Sequence, residues 1–268
     1  MKYAENTTFW FVFCKSDLLL QKLGDEIYTV PTGDTPPTEV KPWTTIHDIE
    51  VPMMDGMKAK AYTIDMPVTD HPPYEMCGLR ASYYKLPRVL YLAAGKCQEI
   101  MYWDQNTRFC GVCGGQMKMH TNISKRCEQC GKEVWPQLAT AIIVLIRRGE
   151  EVLLVHANNF KRNFFGLVAG FVETGESLEE AVIREVTEEV GINIANIQYF
   201  ASQPWPYPSG LMVGFTADYV SGEIKLQRSE LAAGGWYNRH NLPELPEKLS
   251  IARHLIDSWL ASFDDEKQ

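Results

Sequence analysis

The spacing of apolar and polar positions changes several times along the chain. Phe9–Cys14 is a nearly unbroken apolar run and reads as a strand, whereas Arg80–Leu92 looks amphipathic. Ala139–Ile146 is a second apolar run. Arg147–Glu150 then forms a turn, and Glu151–Ala157 returns as a strand. Phe164–Val168 predicts a third strand, and Ile197–Ala201 and Leu211–Val220 predict two more, with a turn at Ser221-Gly222. Ser177–Val190 carries the helical period. Ser250–Trp259 sets Ile251, Leu255, Ile256 and Trp259 on one stripe, as a closing amphipathic helix does. Helices mixed with strand hairpins predict an α+β fold of the α/β/α sandwich kind.

Four segments follow. Residues 1–109 read as short strands and turns, a small β-rich N-terminal domain with little legible function. Residues 110–135 are a Cys/Gly stretch, 136–262 hold the alternating strands and helices, and 263–268 form a tail.

Composition narrows the function classes. With 268 residues and 45% hydrophobic positions, the chain can bury a sizeable core. A net charge of -8 disfavours non-specific adhesion to nucleic acid or anionic lipid. It leaves a phosphorylated substrate open, because bound metal ions can supply positive charge locally. No apolar run approaches the ~18–20 residues needed to span a bilayer, so no membrane partner is expected. The N-terminal apolar patch follows Glu5 and lacks a small-residue cleavage pattern, so it reads as a strand and not a signal peptide. Seven cysteines, four of them in two close pairs, fit a reducing cytoplasm and a metal site better than a disulfide framework.

The pairs are Cys110-x2-Cys113 and Cys127-x2-Cys130, each followed by glycine. A two-residue gap lets both sulfurs reach one ion, and glycine lets backbone amides turn toward them. The pattern predicts a four-cysteine zinc ribbon with one Zn2+ per subunit. Four protein ligands fill the coordination shell, so this zinc is structural. Cys14, Cys77 and Cys97 stand alone and read as small buried hydrophobes. A ribbon can also belong to a nucleic-acid module, but Lys118, Lys125 and Arg126 form no basic stripe.

The second candidate is the helix after Gly170. Ser177 with Glu180 forms a capping box, and Gly191 is placed for a left-handed C-terminal cap. At ~100° per residue, the stripe from Leu178 to Val190 spans about 0° to 120°, with Glu189 near ~20°, Glu185 near ~340° and Glu188 near ~280°. Arg184 falls near ~240°, on the solvated side. Carboxylates crowded against an apolar stripe repel one another and lose hydration, and divalent cations relieve both problems. An acidic solvent face is the competing reading. Gly170 and Gly175 bracket a tight turn ahead of the helix, where an anion is favoured, and weigh against it.

The segment Gly170-x5-Glu176-x7-Arg184-Glu185-Val186-x-Glu188-Glu189-x-Gly191-Ile192 resembles the Nudix box at every defined position. That resemblance implies an α/β/α sandwich that hydrolyses nucleoside diphosphate derivatives. By position it implies that Glu185, Glu188 and Glu189 are metal ligands or the base for water. It also implies that Glu176 pairs with Arg184 as a brace, and that the Ala169 carbonyl is a further metal ligand.

Downstream, Ser202-Gln203-Pro204-Trp205-Pro206-Tyr207-Pro208-Ser209-Gly210 is stiffened by three prolines and offers flat rings suited to stacking. It resembles the SQPWPFPxS array of the NADH pyrophosphatase family, with Tyr207 in place of Phe and Gly210 in place of the final Ser. A zinc ribbon before the Nudix domain and a divergent N-terminal domain before that are also similar to this family. The resemblance implies hydrolysis of NAD(H) to nicotinamide mononucleotide and AMP with two to three Mg2+ or Mn2+ ions per site. It further implies activity on NAD-capped RNA and a homodimer. Glu230 then stands as a distal metal-binding acid. Substrate contacts fall on Gln203 to Gly210, on Trp135 and Phe171 around the nicotinamide, and on Arg80 and Ala252. Two rivals remain: a hydrolase of ADP-ribose or a dinucleoside polyphosphate, and a non-catalytic nucleotide sensor that kept the fold.

Overall fold

The computed structural model describes residues 7–51, 54 and 58–265. The chain divides into two compact units. One comprises residues 1–137 with Pro206–Ser209, and the other comprises Leu138–Trp205 with residues 210–268.

The first unit opens with a six-stranded sheet. Its strands are β1 (Thr8–Cys14), β2 (Asp17–Gly24), β3 (Ile27–Thr29), β4 (His47–Ile49), β5 (Lys58–Thr63) and β6 (Tyr74–Gly78), in the order β3-β2-β1-β5-β4 with β6 also on β2. The apolar run of β1 is continuous because both faces are covered. Phe9, Phe11 and Phe13 pack with Leu90, Ala94, Cys97 and Ile100, whereas Trp10 and Val12 pack with Leu19 and Tyr62. Leu90–Ile100 belong to α1 (Arg88–Asn106), 19 residues long. To the expected short strands and turns over 1–109 the structure adds this long helix, which continues the amphipathic Arg80–Leu92 segment. Pro87 starts the helix inside the Arg80–Leu92 segment, and only the short 3-10 turn Ala81–Tyr84 precedes it. Three strands, β7 (Met117–Thr121), β8 (Ser124–Cys127) and β9 (Glu133–Val134), make a separate small sheet over the cysteine stretch.

The second unit is a sandwich built on β10 (Ala139–Arg148). With β11 (Glu151–Ala157), β12 (Val168–Phe171), β13 (Asn193–Pro204), β14 (Gly210–Ser221) and β15 (Leu231–Asn238), it forms the order β13-β14-β10-β11-β15, with β12 on β10. Alternate residues of β10 serve two cores. Ile142, Val144 and Ile146 meet Val182, Val186 and Val190 of α2 (Leu178–Val190). Ile143 and Leu145 meet Ile251, Leu255, Ile256 and Trp259 of α3 (Ile251–Asp265). The expected α/β/α sandwich is present. The third strand is Val168–Phe171 and not Phe164–Val168, because pairing with β10 begins at Val168 while Gly166 makes only an isolated bridge to Val155. α3 continues through Asp265, so part of the expected tail is helical; residues 266–268 lie outside the described residues.

Candidate metal-binding and hydrolytic site

The four cysteines meet as their spacing predicts. Their sulfurs all lie within 4.8 Å of one another, with Cys110–Cys130 at 3.7 Å and Cys113–Cys127 at 3.5 Å. A tetrahedron of thiolates at ~2.3 Å from zinc has S–S edges of about 3.8 Å, so the donor set fits Zn2+. The two knuckles match. Gly114 and Gly131 share φ 74°, and their amides donate to the Cys110 and Cys127 carbonyls. The Cys130 amide donates to Cys127 Sγ at 3.5 Å and helps hold that thiol down at about 6, toward the thiolate that a metal requires. The lone Cys14, Cys77 and Cys97 are buried.

The acidic site grows from the start of α2. Ser177 Oγ accepts from the Glu180 amide while the Glu180 side chain accepts from the Ser177 amide, and Gly191 at φ 70° ends the helix. Glu185 and Glu189 sit on the core side at 9% and 5% exposure, whereas Glu188 is exposed. Burial pushes Glu189 up to about 8, and the charges of Glu185, Glu230 and Glu188 add to it. Burial also raises Glu185 against the opposing pull of Arg184. Buried carboxylates that raise one another in this way fit a divalent cation.

The loop before the helix is shaped around these acids. Gly170 pairs with Ile142, and a Cβ on it would come within 2.0 Å of the Glu185 carboxylate. Arg184 binds Glu176 twofold, at 3.0 and 2.7 Å, and also donates to the Phe171 carbonyl at 2.9 Å. Its Nη1 reaches Glu185 at 2.9 Å and Glu188 at 3.2 Å. Placing Arg184 on the solvated face therefore understated its reach: the long side chain curls back and joins the brace to two of the acids. Ala169 lies on β12 opposite Ile143. Glu230 follows Gln227, whose amide donates to the Glu189 carbonyl at 2.8 Å, so its segment is tied to the end of α2.

The proline-rich segment divides. Gln203 accepts from the Ile251 amide at 2.7 Å and donates to the Leu249 carbonyl at 2.8 Å, so it holds the start of α3. Pro204 ends β13, and the Trp205 amide donates to the Gly210 carbonyl. Pro206–Ser209 belongs to the first unit. There Tyr207 Oη lies 2.7 Å from Tyr91 Oη, Arg80 stands 6.0 Å over the Tyr207 ring, and Ser209 donates to the Gln137 carbonyl at 3.1 Å. Pro206 is buried and Pro208 exposed. The Gly210 departure has a steric reason: a Cβ there would sit 3.1 Å from the Ala139 carbonyl and 3.3 Å from that of Trp205. Trp135 and Phe171 are exposed, at 53% and 65%, whereas Ala252 is packed in the α3 core at 8%. Gly95 and Tyr91 were missed as supports of Pro206 and Tyr207, because α1 itself carried no signal beyond a short amphipathic stretch.

Comparison with known proteins places both units. A NUDIX domain matches residues 136–259, and an NADH pyrophosphatase-like rudimentary NUDIX domain matches residues 7–103. The chain is 47% identical over 169 residues to a Pseudomonas aeruginosa protein named NAD-capped RNA hydrolase NudC, covering 62% of this chain and 60% of that one. A protein of the same name from Pectobacterium atrosepticum is 44% identical, with 63% of this chain and 65% of that protein covered. A third, from Stutzerimonas stutzeri, is 41% identical over 210 residues, which cover 77% of this chain and 75% of the relative. The match thus spans less than two thirds of the first two relatives' length. The paired acids, the cysteine ribbon and the extent of the third match together show that the chain belongs to the NADH pyrophosphatase family of NUDIX proteins.

Proposed function

We propose that this chain hydrolyses the diphosphate linkage of NAD(H) to nicotinamide mononucleotide and AMP, and removes NAD caps from RNA 5′ ends. The observation that carries this reading is the buried pair Glu185 and Glu189 beside Gly170, with Glu230 acting electrostatically on both. The curated names of the relatives support the substrate. Glu185, Glu189, the Ala169 carbonyl and Glu230 would hold two to three Mg2+ or Mn2+ ions. Bound divalent ions supply Lewis-acid charge and lower the pKa of water. Glu188, exposed and tethered by Arg184, accepts the proton from the attacking water. Arg184 and Glu176 keep the carboxylates oriented during the reaction. Phe171 and Trp205 offer ring faces, and Gln203 stiffens the segment that carries Trp205. The ribbon holds one structural zinc per subunit, and the enzyme is a cytoplasmic homodimer. Among the described residues no helix is long and apolar enough to cross a membrane.

Incubation with NADH, NAD+ and ADP-ribose at equal concentration, with products separated by chromatography, tests the assignment. NADH yields AMP and reduced nicotinamide mononucleotide, NAD+ yields AMP and nicotinamide mononucleotide, and Glu188→Gln abolishes that turnover while leaving the fold intact. Preferred cleavage of ADP-ribose, or full activity of the variant, overturns it.

A further inference from the structure

A cleft lies wholly within the first unit, away from the glutamate cluster in sequence and built from different elements. Its volume is about 470 Å³. Its walls come from the Trp43–Thr45 turn, the ends of β4 and β5, the last turns of α1 and the first arm of the cysteine ribbon.

Four observations bear on what it takes. Two large rings line it in the open: Trp43 is 74% exposed and Phe109 71%. Neither has the cover expected of a structural ring of that size. Cations line it as well. Among the described residues Arg108 has no ion-pair partner, and Lys118, paired with Glu128, remains 62% exposed at its side chain. Deeper in, His47 is 5% exposed, and its Nε2 faces Asp104 Oδ2 at 3.5 Å, an ion-pair contact when the ring is protonated. Asp104 itself is spoken for by Lys125, which is buried and also donates to the Asp104 and Thr107 carbonyls at the end of α1. The remaining acid, Asp65, is exposed and has no ion pair among the described residues.

The cleft is held in shape by backbone. Phe109 bridges Gln116, and the Met117 amide donates to the Arg108 carbonyl at 3.0 Å, so the backbone that carries ring and guanidinium is fixed on the arm that ends in Cys110. The Thr44 amide donates to the Lys41 carbonyl and closes the turn that presents Trp43.

We infer that this cleft is a second nucleotide site. It takes a nucleoside 5′-phosphate unit, with the base on Trp43 and Phe109, the phosphate on Arg108 and Lys118, and the ribose hydroxyls on Asp65. Aromatic faces accept any base, and cations track phosphate, so the chemistry suits a mononucleotide or one residue of a single strand. A carboxylate that accepts from a ribose 2′-hydroxyl distinguishes ribonucleotides from deoxyribonucleotides. The overall charge of -8 gave no sign of this site, because the cations are few and local.

Calorimetric titration of the full-length zinc-loaded protein, without added Mg2+ or Mn2+, tests the inference. AMP, dAMP and a short 5′-phosphorylated RNA oligonucleotide serve as probes. The wild type binds a ribonucleotide probe at a site that Trp43→Ala weakens by about tenfold or more, the order of one lost base–aromatic stack. Arg108→Gln weakens the same site and flattens its salt dependence by roughly one charge. Asp65→Asn erases the preference for AMP over dAMP. Equal binding of AMP and oligonucleotide identifies a mononucleotide site, and binding of the oligonucleotide alone identifies a strand site. Trp43 and Arg108 are exposed, so melting curves near that of the wild type establish that the variants fold. Unchanged affinity and stoichiometry in both Trp43→Ala and Arg108→Gln overturns the inference.

Discussion

Gly170→Ala isolates the geometry of the acidic site from the stability of the fold. Gly170 is on β12, where its backbone pairs with β10 and has no need of a positive φ, so alanine is conformationally acceptable. The conflict is with a side chain. The added Cβ would lie 2.0 Å from the carboxyl carbon and one oxygen of Glu185, and 2.4 Å from the other oxygen. Ordinary contact starts near 3.4 Å, so the carboxylate must retreat by about 1.4 Å. It is the far end of a flexible chain and can do so without moving the helix. The structural cost is therefore about 1 kcal/mol, mostly the altered Arg184 contact. The functional cost is larger, because a misplacement of ~1 Å in a reacting constellation can reduce rate ~100-fold, close to 3 kcal/mol of transition-state stabilisation. Thermal melting of the protein without added Mn2+ measures the first, and steady-state hydrolysis of NADH with Mn2+ measures the second. The expected pattern is a ~100-fold loss in kcat/KM with a melting shift of only a few degrees. Because both substitutions act through one carboxylate, Gly170→Ala should add little to Glu185→Gln. Near-wild-type turnover would refute the reasoning, and so would a loss matched by global unfolding.

Further outcomes follow from other contacts. Asp104 is opposed by burial, but the His47 ring and the Lys125 ammonium hold it at about 2, below its ordinary 3.8. A lowered carboxylate stabilises the fold above its unfolded pKa, so roughly 2 kcal/mol should be present at neutral pH and lost as pH falls from about 4 toward 2. Urea denaturation of wild type and Asp104→Asn across that range should show the dependence vanish in the variant. Tyr207→Phe should cost about 1 kcal/mol by leaving the buried Tyr91 hydroxyl without its partner, measured by denaturant midpoint. Cys130→Ala should abolish stoichiometric zinc by metal analysis and melt the ribbon sheet at lower temperature than the rest. Ser177→Ala should lower stability by about 1 kcal/mol through the lost capping box, without shifting KM.

Much of the second unit, and the cysteine stretch of the first, was legible because the patterns are local. The capping box and Gly191 delimit α2, and the cysteine spacing anticipates a cluster that needs only two tight turns to form. What escaped depends on distant partners. α1 is apolar on a broad face, as ten of its residues are buried, so it lacks the narrow stripe that marks a surface helix. β15 reads Leu-Ala-Ala-Gly-Gly-Trp-Tyr-Asn, a poor strand by composition, and exists because β11 supplies a full ladder. The reach of Arg184 was hidden for a different reason. A helical wheel fixes where a side chain leaves the backbone, not where six further atoms take it. The Tyr207 and Gly210 departures from the family array likewise needed coordinates, since their partners, Tyr91 and the Ala139 carbonyl, lie far away in sequence.

The assignment of Pro206–Ser209 to the first unit bears on how this protein can be cut and recombined. A conventional domain boundary at residue 138 would carry these four residues off with the wrong partner. A fragment starting there would expose Pro206, which is buried, and would strip Tyr207 of both Tyr91 and Arg80. Grafting the hydrolytic half onto another amino-terminal half has the same flaw unless the recipient also supplies a helix with a small residue where Gly95 admits Pro206 at 3.1 Å. Any such fragment or graft that carries Pro206–Ser209 therefore also needs the α1 residues Tyr91 and Gly95.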